Sequence, residues 1–404
     1  CRPIHSIIRT GGIYALFALL WAKNDRPRTY ATLYDLVDAM IQKRKLAYFL
    51  HDIAIGGAEI AFLSALPELH QRFDLKVFVL GNADSKLLER LADPIRQDIV
   101  CLNIPRWALI FHLFRIYSRL KSFEPEILIS SLWRSTIPAV LYKWLNRTRV
   151  TYFVLMHSNG FFHRADRFFT RQAIRIGDAV FADARATMEF ASTLVGKRKI
   201  PIVTLSYLTN PTSEGMALHD YNGQKKFCYL GKLNSIKRVD LAISVIAWLR
   251  SQGVDATLAV FGRDEGEGAN ISAQIDRLGL QQQVQIHSEV SPVDKQAIFR
   301  SFPFYIQLSA QEGMAMSVAE AMQNGLVCVV TAVGEIGNYA KDGVSAVLLD
   351  PTTAESWEES LDKLLNVLKS EEMCRSISNS AYQVFKGAPV FSESLVAAIN
   401  QFTK

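Results

Sequence analysis

The sequence predicts an α/β protein made of two Rossmann-like domains facing each other across a cleft. Three observations carry the prediction. From residue 45 onward, short runs that are apolar on both faces alternate with helical patterns, as in a parallel sheet covered on both sides. The alternation breaks once, at LTNPTSEGMALHDYNGQ (208–224), which holds Asn-Pro, Gly and Asn-Gly turn signals and almost no periodicity. It then restarts with a second series of similar size, and 404 residues suit two or three domains at roughly 100–200 residues each.

In chain order, LAYFLHD (46–52) reads as a strand, followed by a small-residue loop and a helix from about Gly57. LKVFVLG (75–81), IVCLNI (99–104), EILISSL (126–132), VTYFVLMHS (150–158) and DAVFADA (178–184) are further strands, each followed by a helical stretch. This defines a first domain over 45–207 and a linker over 208–224. A second domain over 225–385 repeats the pattern with KKFCYLG, ATLAVFG (256–262), QVQIHS (283–288), YIQLSA (305–310), LVCVVTA (326–332) and AVLLD (346–350). The chain closes on a helix within 386–404, expected to cross back to the first domain. In such folds ligands sit beyond the carboxyl ends of the strands.

Hydrophobic residues make up 49% of the chain and charged residues 21%, which excludes disordered and collagen-like classes. The five cysteines form no C-x-x-C and no zinc-spaced cluster with histidine, so they read as small buried hydrophobes. No metal site and no cofactor are expected. The best candidate span, the uncharged stretch TGGIYALFALLWA (10–22), has 13 residues, where a bilayer span needs about 18 or more. Residues 1–44 read as an accessory segment, either packed as a helix or acting as a peripheral anchor.

Three segments carry candidate chemistry. In HDIAIGGAE (51–59), Gly56 and Gly57 lie between a strand and a helix, where backbone can approach a ligand and a helix N-terminus favours an anion. The dinucleotide fingerprint G-x-G-x-x-G is absent there. In YLGKLNSIKRVDLAI (229–243), Lys232 and Lys237 flank a βα loop and suit a diphosphate. In SAQEGMAMSVAEAMQNG (309–325), Glu312 and Glu320 bracket a helix start whose amides, near Met316 and Ser317, form a second anion cradle. Carboxylates accept hydrogen bonds from neighbouring sugar hydroxyls. A phosphate cradle flanked by two such carboxylates describes a nucleotide-sugar site.

At these residues the chain resembles glycosyltransferase family four, the retaining glycosyl transferases group 1 with the GT-B fold, from about Lys45 to the C-terminus. EGMAMSVAE is similar to the family's E-x7-E motif, YLGKLNSIKRVDLAI to its Gly-Arg…Lys motif, and GGAE (56–59) to its N-terminal motif. AVGEIGNYAKDGVSAVLL and TLSYLTNPTSEG are similar to the family stretches that follow the E-x7-E motif and that cross between the domains. The resemblance implies that Glu312 holds hydroxyls of the transferred sugar and Glu320 those of the ribose. It implies that Lys232 and Lys237 bind the donor diphosphate, helped by Gly56, Gly57, Met316 and Ser317. His157, after VTYFVLM, matches the family's active-site histidine. Lys232 stands where the family has Arg, Ala315 where it has Gly, and Met314 where an aromatic is common.

The implied activity is metal-independent, retaining transfer of a hexose-type sugar from a nucleoside-diphosphate sugar to a glycan or lipid-linked acceptor. The typical settings are polysaccharide, lipopolysaccharide or glycolipid synthesis. No Asp-x-Asp occurs in the chain. A nucleotide-sugar epimerase and a non-catalytic GT-B scaffold subunit share the fold and stand as alternatives. Nucleic-acid binding lacks a motif. RWALIFHLFRIYSRLKSF (106–123) and GFFHRADRFFTRQAIR (160–175) mix aromatics with Arg and Lys, which suits an anionic membrane surface. The competing reading puts the aromatics of the first stretch in the core. The expected location is cytoplasmic, peripheral at the inner face of the plasma membrane. Residues 1–215 hold 29 Lys+Arg and 18 Asp+Glu, and residues 216–404 hold 16 and 21, so a basic half precedes a mildly acidic one.

Overall fold

Thirteen strands form two parallel sheets among the described residues. The structure, a computed structural model, describes residues 43–403 except 55, 148, 159, 197, 198, 213–215, 217, 292 and 293. The apolar stretch 10–22 and nearly all of the accessory segment lie outside the described residues. Residues 45–404 gather into one unit.

The first sheet contains β1 (Lys45–Leu50), β2 (Asp74–Val79), β3 (Ile99–Cys101), β4 (Ile127–Ser131), β5 (Thr151–Met156), β6 (Ala179–Ala182) and β7 (Ile202–Thr204), in the order β3-β2-β1-β4-β5-β6-β7. The second contains β8 (Lys225–Leu230), β9 (Ala256–Phe261), β10 (Val284–His287), β11 (Phe304–Gln307), β12 (Val327–Val330) and β13 (Val347–Leu348), in the order β10-β9-β8-β11-β12-β13. The strand order reverses between β1 and β4 and again between β8 and β11. These reversals open the crevices in which doubly wound sheets bind ligands.

The strands are apolar on both faces because both faces are covered. Leu46, Tyr48 and Leu50 pack with helix α1 (Gly57–Arg72). Ala47 and Phe49 point the other way, into a core shared with α2 (Leu109–Phe123), α3 (Trp133–Leu145) and α4 (Arg164–Ile176). Further helices are α5 (Arg185–Leu194), α6 (Val239–Ser251), α7 (Lys295–Ser301), α8 (Met316–Gln323) and α9 (Phe391–Phe402).

The last helix does cross back. Phe391, Leu395 and Ile399 of α9 are buried with Phe62 and Leu66 of α1. The Phe391 amide donates to the Leu208 carbonyl at 2.8 Å, which ties α9 to the chain segment leaving the first domain. One expectation needs correcting. α2 is a scaffold helix, but only one of its faces is in the core: Leu109, Ile116 and Leu120 are buried, while Trp107, Phe111 and Phe114 are exposed. No helix among the described residues is long and apolar enough to cross a membrane.

Candidate functional site

The carboxyl ends of the two sheets enclose a cavity of ≈ 320 Å³. Gly56, Gly57, Asp183 and Tyr207 line it from the first domain, and Lys232, Lys237, Glu312, Met316 and Ser317 from the second. The domains meet closely here. A Cβ at Gly57 would stand 3.1 Å from the Met316 sulfur. A Cβ at Gly262, at the end of β9, would sit 1.9 Å from the Gly231 carbonyl oxygen, so only glycine fits that position.

The second-domain wall is built by the turn from β11 into α8. Gln307 and Ser309 are almost fully buried and aim their side chains at Glu312. The turn ends on Ala315 at φ 54, ψ 60, a left-handed conformation that glycine adopts without strain. That geometry explains why glycine suits this position in the resembling family. α8 then starts at Met316. The first turn of a helix has no intrahelical acceptors for its amides, and this turn lines the cavity.

Each lysine of the cavity is held by a carboxylate. Lys237 Nζ lies 2.7 and 2.8 Å from the two oxygens of Glu312. Glu312 Oε1 also accepts from Gln307 at 2.7 Å and from Ser309 at 2.5 Å, so Oε2 keeps the spare accepting capacity. Lys295 Nζ lies 2.9 Å from Glu320 Oε2, and the Thr209 hydroxyl donates to Oε1 at 3.3 Å. Lys232 Nζ lies 3.0 Å from Glu265 Oε1, which Arg263 shares at 2.7 Å. The hydrogen bond from Arg263 comes first in holding the Glu265 carboxyl down at about 2, with Lys232 and Asn234 adding to it.

His157 follows β5 and is anchored at both ring nitrogens. Nε2 is 2.6 Å from the Ser131 hydroxyl, and Nδ1 is 3.0 Å from the Tyr207 hydroxyl and 3.6 Å from Asp183 Oδ2. Burial pushes the Tyr207 phenol far above its ordinary pKa, so it stays a hydroxyl. His157 lines a smaller neighbouring cavity of ≈ 40 Å³, while its partners Tyr207 and Asp183 line the large one. Ser131 precedes Leu132, whose φ 71, ψ 161 is a region normally reserved for glycine.

The structure therefore brings Gly56, Gly57, Lys232, Lys237, Glu312, Met316 and Ser317 to one cavity. Glu320 sits behind it, reached through Lys295, and His157 stands one residue back in the first domain. Sequence reasoning missed Lys295, Glu265, Asp183 and Tyr207. It also missed Glu289, a cavity-lining carboxylate without a hydrogen bond or ion pair among the described residues. No spacing rule marks any of them. Among the described residues no three His, Cys, Asp or Glu side chains cluster as metal ligands.

Residues 217–384 match the family model for glycosyl transferases group 1. The match spans the second domain and the end of the linker. The fold is GT-B: a structure of Anabaena Alr3699/HepE in complex with UDP superposes with a TM-score of 0.73, covering 88% of this chain and 100% of that one at 15% identity. Part of the chain is 24% identical over 151 residues to a GDP-mannose:cellobiosyl-diphosphopolyprenol alpha-mannosyltransferase of Komagataeibacter xylinus. A stretch of 157 residues is 27% identical to a D-inositol 3-phosphate glycosyltransferase of Corynebacterium aurimucosum. The matches cover 35% and 38% of this chain, and 38% and 36% of those relatives' lengths.

Proposed function

We propose that this protein is a retaining glycosyltransferase. It moves a hexose-type sugar from a nucleoside-diphosphate sugar to a glycan or lipid-linked acceptor. The reaction would serve the synthesis of surface polysaccharide, lipopolysaccharide or glycolipid. The observation that carries the reading is the interdomain cavity, where Lys237, Lys232 and the first turn of α8 converge beside Glu312. The glycosyl transferases group 1 match over the second domain and the UDP held by a protein of the same fold support it.

The chemistry follows from charge. Breaking the bond between anomeric carbon and phosphate leaves negative charge on the diphosphate and positive character on the sugar. Two ammonium groups and the α8 amides are fixed where the negative charge grows, so the scheme needs no metal. Lys237 has three N–H donors and spends two on Glu312. The third is left for a phosphate oxygen, and Glu312 Oε2 is left for a sugar hydroxyl. The site names no nucleophile, and none is part of the scheme.

The test is a thermal-shift screen of UDP-, GDP- and ADP-sugars, followed by product analysis with the donor that stabilises. One nucleotide sugar raises Tm, and sugar transfer to an acceptor follows. No stabilisation by any nucleotide sugar overturns the reading. Interconversion of the donor without transfer identifies an epimerase.

A further inference from the structure

Helix α2 is apolar on two opposite sides. Leu109, Ile116 and Leu120 are 0–3% exposed against the first sheet. Trp107, in the turn that leads into the helix, is 77% exposed, Ile110 72%, Phe111 78% and Phe114 84%. Their spacing of three, four and seven places them along one outward stripe. A helix apolar all round is normally buried all round. Here the sheet covers one side, and four large side chains face outward together, which marks an interaction surface.

The charges around the stripe say what covers it. α2 carries Arg115 and Lys121 outward, and α4 carries Arg164, Arg167, Arg171 and Arg175 outward. The one acidic residue in either helix, Asp166, is buried and accepts from Thr170. α2, α3 and α4 share one core on one face of the sheet, so these charges belong to a single layer. A partner must therefore be apolar at depth and negative at its surface. A second copy would bring the same basic face and be repelled.

We infer that this layer docks on an anionic lipid surface, with the α2 stripe inserted between headgroups. Aromatic and aliphatic side chains then enter the acyl boundary while arginines meet lipid phosphates. The geometry also orients the protein. α2 begins after β3 and α4 begins after β5, so both start at the carboxyl edge of the sheet, the edge that forms the cavity. Phe162 and Phe168 are exposed at the start of α4. The lipid plane would thus lie beside the cavity mouth, and an acceptor with its tail in that plane could present its head to the donor. This last step rests on the transferase reading; the docking itself does not.

Flotation of the full chain with vesicles of phosphatidylcholine, alone or mixed with phosphatidylglycerol, tests it. The chain floats with the anionic vesicles and is released by high salt. The variant Trp107→Ser/Phe111→Ser/Phe114→Ser changes only exposed side chains, keeps its Tm and its stabilisation by nucleotide sugar, and partitions at least about tenfold less. No flotation at low salt overturns the inference, as does unchanged flotation of the variant. So does a dimer that the variant dissolves, or hydrogen-exchange protection of the α2 stripe in the lipid-free chain, since either would give the stripe a protein partner. Loss of nucleotide-sugar binding in the parent chain would count against the transferase reading alone.

Discussion

The two domains share a topology and dispose their charges in opposite ways. In the second domain the cations at the cavity are pre-paired: Lys232 with Glu265, Lys237 with Glu312, Lys295 with Glu320. In the first domain Lys143 pairs with Asp178 and braces the scaffold, while the arginines of α4 are exposed at the surface. The net charges, +11 over residues 1–215 and −5 over residues 216–404, run in the same direction. A cavity that would take a small anion, as proposed, gains from lysines held in place when empty, because a loose ammonium would have to be ordered at binding. A surface that meets a diffuse field gains little from fixed ion pairs, and exposed charges on it stay solvated.

The sharpest way to break this contrast is to cut the Lys237–Glu312 pair. Lys237→Met and Glu312→Gln are each expected to lower transfer at least about a hundredfold, because each removes a group aimed at developing charge. The double variant is expected to lose little more than either single one, since the two act as a unit. The folding costs differ. Lys237→Met leaves the 7%-exposed Glu312 side chain with Gln307 and Ser309 still donating, whereas Glu312→Gln leaves Lys237, 23% exposed, within reach of water. Transfer rates with Tm measured alongside decide the matter, and full activity in either folded variant breaks the site assignment.

Glu289 is the exception within the second domain, and it sharpens the comparison. On the proposed reading Lys232 and Lys237 hold the diphosphate beyond β8, and a nucleoside would extend over β9 and β10, where Phe261 and Glu289 line the cavity. A carboxylate accepts two adjacent N–H groups well. Guanine offers that pair on one edge; uracil offers one N–H between two carbonyls, which a carboxylate repels. GDP is expected to bind about tenfold more tightly than UDP, and Glu289→Gln to erase the preference. Equal weakening of both nucleotides by the variant would move Glu289 to the ribose instead. Titration calorimetry with the two diphosphates distinguishes these outcomes.

What could be read from the sequence follows the same division. Alternating strands and helices were legible because parallel strands buried on both faces are continuous apolar runs. Glu312 and Glu320 were legible because a single helix start carries both. Glu265, Lys295 and Glu289 were not, because they meet the cavity from loops after other strands, and only the sheet order brings those loops together. The stretch 106–123 was legible as a candidate for a membrane surface, but not which of its sides faces outward. When both sides of a helix are apolar, its pattern cannot tell which side meets the sheet.

The smallest expected effect concerns a feature the domains have in common. In each, a non-glycine residue at positive φ precedes a helix that opens on a cavity: Leu132 before α3 and Ala315 before α8. The left-handed conformation costs an alanine about 1 kcal/mol relative to glycine. Ala315→Gly removes that strain but gives the unfolded chain about 0.4–1 kcal/mol more entropy to lose. The two terms nearly cancel, so the expected shift in stability is under about 1 kcal/mol. Leu132 lies deeper in forbidden space, at ψ 161, where the strain is about 1–3 kcal/mol. Leu132→Gly is therefore expected to stabilise more than Ala315→Gly, unless the half-buried leucine side chain contributes as much by packing. Denaturant midpoints of the two variants, compared at equal m-value, rank them. A large loss at Ala315→Gly would mean that its methyl group, 8% exposed, matters to the wall of the cavity more than its backbone strain does.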